Sequence, residues 1–111
     1  MIKINEVNKA MLIMITTWVP PHKAIDLAKL YLKQPRELPF VTKWRVFNTL
    51  AGKDGMKAYH LIYTEKGKGE EAAMELNKYF FPFAQIEGFR IQSEVLMGVS
   101  DSYKAAGLKW E

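Results

Sequence analysis

The chain has 111 residues, 49% of them hydrophobic and 25% charged, with a formal net charge of +4. That length holds one domain with one core, and the absence of cysteine excludes disulfides, thiolate metal centres and thiol nucleophiles. The longest early apolar run, Met11 to Ile15, falls far short of the roughly 20 residues of a membrane span. No cleavable leader is read at the start, and the expected compartment is the cytoplasm. The basic residues are scattered rather than clustered, which argues against a nucleic-acid footprint.

Residues 1–9, with Ile2, Ile4 and Val7 among polar neighbours, offer an extra edge strand. Residues 10–18 are apolar on both parities, as in a central strand covered on both faces. Pro20 and Pro21 end that strand and suit the start of a helix. Ala24, Ile25, Leu27, Ala28, Leu30, Tyr31 and Leu32 then form one wide apolar arc, and Pro35 stops it. Residues 41–50 and 57–65 read as a hairpin around Gly52-Lys53-Asp54-Gly55. With Lys53 and Asp54 as the loop, Trp44 faces Tyr63, Val46 faces Leu61 and Asn48 faces Tyr59. The other face then sets Arg45 against Ile62 and Phe47 against His60.

After Gly67-Lys68-Gly69, Glu70 and Glu71 favour a helix start. Ala72, Ala73, Leu76, Tyr79 and Phe80 line one side of that helix, Met74 and Phe81 the other, and Pro82 ends it. From about Gly88 to Val99, Phe89, Ile91, Val95 and Met97 alternate with Arg90, Gln92 and Glu94 in the two-residue period of a strand. Ser100, Asp101 and Ser102 supply caps for a short closing helix that Gly107 terminates. The order βαββαβ predicts an α+β, ferredoxin-like domain over residues 1–111. Its core spans about 10–99, and a four-stranded antiparallel sheet carries two helices on one face. Neither parity leaves the other face cleanly polar. Such a surface points to an interaction site, and the expected partner is a second copy of the chain.

This element order, length and semi-apolar open sheet resemble the dimeric α/β-barrel superfamily of ferredoxin-like proteins. The resemblance covers roughly residues 10–99. It implies a homodimer joined through the open sheet faces, with small apolar ligands bound between sheet and helices. If the chain is an enzyme, the resemblance implies a monooxygenase- or isomerase-like activity without metal or cofactor. The Asn, Trp and His set of the haem-degrading members does not map here, where the only histidines are His22 and His60.

The expected catalytic pair is His60 for proton transfer and Arg45 for an oxyanion, brought together by the hairpin register above. The expected ligand pocket lies between sheet and helices, with Trp18, Trp44, Tyr59, Tyr63 and Phe80 as walls. His22 at a helix start, beside Lys23, is a candidate for holding an anion. No spacing of histidines or carboxylates suggests a metal site. Two other readings stand beside this one. One is a non-catalytic dimerising or adaptor module. The other is an RNA-binding module of the same element order, since residues 57–63 resemble the third-strand motif of such modules. Leu61 there occupies the position of a stacking aromatic, and Ala58 that of a glycine.

Overall fold

The structure is a computed structural model and describes residues 10–50 and 52–110. The chain runs through β1 (Leu12–Val19), α1 (Ala24–Leu32), β2 (Val41–Leu50), β3 (Met56–Thr64), α2 (Gly69–Phe80), β4 (Arg90–Leu96) and α3 (Val99–Ala105). The edge strand considered for residues 1–9 lies outside the described residues. The four strands form one antiparallel sheet in the order β2-β3-β1-β4. β1 and β2 are both antiparallel to β3 and so parallel to each other, with β3 between them. In the same way β3 and β4 flank β1. The class is α+β, compatible with a ferredoxin-like fold. No helix among the described residues is long and apolar enough to cross a membrane.

The start of α1 differs from expectation. Pro21 opens a single 3-10 turn, Pro21–Lys23, and Lys23 leaves helical geometry, so the α-helix begins at Ala24. α2 begins where the paired glutamates predict, with Glu70 and Glu71 in its first turn. Its buried side, Ala72, Leu76, Tyr79 and Phe80, meets Ile13, Ile15 and Ile62 of the sheet, and Phe83 from the following turn joins them. Burying each large apolar side chain contributes about 1.5–3 kcal/mol, so this seam dominates the packing. Leu27, Leu30 and Tyr31 of α1 pack on the same cluster, which puts both helices on one face of the sheet. Met74 and Phe81 are exposed, on the outward side that the helical period assigns them.

The hairpin register is one residue away from the expected one. Trp44 pairs with Ile62, Arg45 with Leu61, Val46 with His60 and Phe47 with Tyr59. The connection between Leu50 and Met56 is longer than a two-residue turn: Gly52–Asp54 make a 3-10 turn and Gly55 follows at φ +86°. Gly55 also lies against the end of β1, where an added Cβ would meet the Val19 carbonyl oxygen at 2.0 Å. The backbone contact sets where the turn ends, and a one-residue change in pairing turns every side chain to the other face. At the far end an irregularity between Val41 and Lys43 lets Val41 pack toward the core while Lys43 points away from it.

The closing helix α3 begins at Val99, so Ser100 to Ser102 lie within it rather than before it. Gly107 ends it at φ +77°, with Leu108 N–H donating to the Tyr103 carbonyl. Met97, Val99, Leu108 and Trp110 stay exposed, and Trp110 packs edge-on against Tyr103 at 5.1 Å. None of these residues joins the core cluster.

Candidate functional site

β3 places His60 on the helix side of the sheet, 2% exposed. Tyr31 stacks on its ring at 6.3 Å, and Phe80 and Trp44 meet it edge-on at 5.2 and 5.8 Å. Trp44 Nε1–H donates to His60 Nδ1 at 3.0 Å. An indole nitrogen only donates, so Nδ1 is the unprotonated acceptor and the neutral ring carries its proton on Nε2. Burial lowers the pKa to about 4. The ring is therefore neutral near pH 7 and its basic nitrogen is already engaged.

Arg45 lies on the opposite face, its guanidinium 5.0 Å from the centre of the Phe47 ring. The expected pairing of His60 with Arg45 is thus not met, because the register that gave it is off by one residue. Alternation also divides the five expected pocket rings. Trp44 and Phe80 sit 6.0 Å apart on the helix side. Trp18, Tyr59 and Tyr63 stand on the open side, where Lys57 lies over Trp18 and Tyr59, and Lys43 over Tyr63. His22 is exposed in the turn before α1, apart from both groups.

The helix side carries a smaller and a larger cleft. The smaller, about 200 Å³, lies beside the end of α1 against Trp44, Tyr79 and Arg36. Under it, burial and a hydrogen bond with Tyr31 raise the Tyr79 phenol well above its usual pKa, and the Gln34 side-chain amide donates to the Tyr79 carbonyl. The larger, about 340 Å³, lies between β4, β1 and α2. It exists because α2 covers β1 and β3 but leaves β4 uncovered, with Ile91 and Val95 46% and 66% exposed. Ile13, Ile15, Leu76, Phe80 and Ile91 form its apolar walls, and the small Ala73 leaves room on the helix side. Asn77 and Ser93 are its polar groups. An apolar cleft with a few neutral donors and acceptors is the usual make-up of a small-ligand site.

Of the expected wall residues only Phe80 reaches this cleft. The rest of the lining was not expected: Ser93 shares the parity of Ile91 and Val95, and Asn77 stands beside the apolar arc of α2, but neither position marks a cleft without the reach of α2 across the sheet. No lining residue is acidic, basic or a histidine. Among the described residues no group of three or more His, Asp or Glu side chains is placed to hold a metal ion. No protein-family model matches the chain, and no curated protein is significantly similar to it.

Proposed function

We propose that this chain is a small homodimeric protein that binds a small apolar or aromatic compound in the cleft between β4, β1 and α2. The carrying observation is the cleft itself: about 340 Å³, walled by aliphatic and aromatic side chains, with Asn77 and Ser93 as its hydrogen-bonding groups. Such a pair recognises one carbonyl or hydroxyl on an otherwise apolar body. The lining has no group that changes protonation near neutral pH, which favours binding over acid–base catalysis.

The ferredoxin-like, dimeric α/β-barrel reading is supported by the two split crossovers, β1-α1-β2 around β3 and β3-α2-β4 around β1. Homodimerisation is supported by the sheet face turned away from α1 and α2, where the inner strands present Leu12, Met14, Leu61, Tyr59 and Tyr63.

The test is a thermal-shift screen of small aromatic and lactone-type compounds on the wild type and on Ser93→Trp and Ala73→Trp, which fill the cleft from either side. A ligand present at a hundredfold its Kd raises the wild-type Tm by roughly 10 °C. The filled variants are expected to lose that response while keeping their own fold. Equal stabilisation of all three proteins, or of none, counts against the cleft.

A further inference from the structure

The strand registers arrange the open face in rows, and one row holds Glu94, the only carboxylate among the described strand residues of that face. Arg45 on β2 pairs with Leu61 on β3, Leu61 with Met14 on β1, and Met14 with Glu94 on β4. Arg45 and Glu94 thus stand at opposite edges of the same row. The row beside it begins with Lys43 and Tyr63, and the far row ends with Lys57, Trp18 and Arg90. The middle of the face is apolar and the charges are on its perimeter, which is the anatomy of a protein–protein interface.

Resting on the homodimer reading above, we infer that two copies pack sheet to sheet about a two-fold axis parallel to the strands, with Arg45 of each copy paired to Glu94 of the other. A two-fold in that direction keeps every row and exchanges the edges. It brings Arg45 over Glu94 of the second copy, Leu61 over Met14 and Tyr63 over Leu12. The remaining cations, Lys43, Lys57 and Arg90, then meet Leu96, Trp18 and Thr49 of the second copy, so no like charges are directly opposed. A two-fold across the strands instead sets Glu94 against Gln92 and Arg45 against Phe47, and leaves the carboxylate without a cation. Aligned sheets pack about 10 Å apart, a gap that an arginine and a glutamate side chain bridge together.

Reversal of the charges tests the register separately from the dimer. Sedimentation velocity is run on the wild type, Arg45→Glu, Glu94→Arg and an equimolar mixture of the two variants. Circular dichroism reports their folding, which exposed edge positions leave intact. The wild type is expected to be a dimer at tens of micromolar. Each variant alone opposes like charges twice and is expected to weaken the dimer at least tenfold. In the mixture every 45–94 pair is complementary, and a heterodimer of near wild-type affinity is expected. A dimeric wild type whose variants dimerise equally well, or whose mixture stays monomeric, overturns the register and leaves the homodimer standing. A monomeric wild type overturns both. So does a monomer that holds a single-stranded oligonucleotide with salt-dependent affinity, since the cationic, aromatic face then serves a polyanion.

Discussion

Trp44 Nε1 donates to His60 Nδ1 across 3.0 Å, between neighbouring strands and beneath the packed rings of Tyr31 and Phe80. The bond accounts for two otherwise costly groups at once. A half-buried indole N–H gains an acceptor, and a buried imidazole is held in one neutral tautomer. His60→Ala removes the ring and orphans the indole N–H, and is expected to lower stability by about 2–4 kcal/mol in denaturant unfolding. Trp44→Phe keeps most of the packing and loses the bond, at a cost of about 1 kcal/mol.

The same burial makes stability depend on pH. The His60 pKa is about 4 in the fold and near 6.5 when unfolded. Between those values the unfolded chain binds the extra proton, so stability rises with pH there. It is complete above about pH 6.5 and declines as the pH falls toward 4, by about 3 kcal/mol in all from this residue. The quantity to measure is therefore the difference in unfolding free energy between wild type and His60→Gln from pH 7 to pH 4. The wild type is expected to lose more on acidification; parallel curves refute the assignment.

Two glycines of the β2–β3 turn separate strain from steric contact. Gly52 and Gly55 both have positive φ, but only Gly55 faces backbone: its added Cβ would meet Val19 O at 2.0 Å, whereas Gly52 looks into open space. Gly52→Ala is expected to cost about 1 kcal/mol from backbone conformation alone. Gly55→Ala carries that cost and also pushes the turn off the end of β1, so its loss of Tm is expected to be clearly the larger. Equal losses contradict the contact.

Removal of residues 99–111 probes the closing helix. No side chain described in that segment is part of the core cluster, and the Tyr103–Trp110 contact is internal to it. The shortened chain is expected to unfold within about 1 kcal/mol of the full chain, with the fluorescence of Trp18 and Trp44 unchanged. A larger loss means that the segment packs on the domain.

Element types and order were legible from the sequence because they rest on local signals: the two-residue period of β4, the apolar arcs of both main helices, the acidic first turn of α2, and Gly107 at the end of α3. Register was not. Gly52-Lys53-Asp54-Gly55 suits turns of more than one length, and the contact that decides between them, Gly55 against Val19, is 36 residues apart in sequence. Parity offered no correction. Trp44 and Phe47 are both large and lie on opposite faces of β2, as do Ile62 and Tyr63 on β3, so either choice reads as a plausible core. The errors among the hairpin residues descend from that one residue: His60 parted from Arg45, and Tyr59 and Tyr63 from Phe80. The cleft beside β4 was hidden for a different reason. It depends on how far α2 reaches across the sheet, which no local pattern encodes.

The most direct measurement of the proposed binding is a ¹H–¹⁵N titration of the labelled protein with the best stabilising compound of the screen. Shift changes are expected at Ile13, Ile15, Asn77, Phe80, Ile91 and Ser93, with the Asn77 side-chain amide among the largest. Changes centred on Trp18, Tyr59 and Tyr63 of the open face, or beside Trp44 and Arg36 at the smaller cleft, contradict binding between β4 and α2.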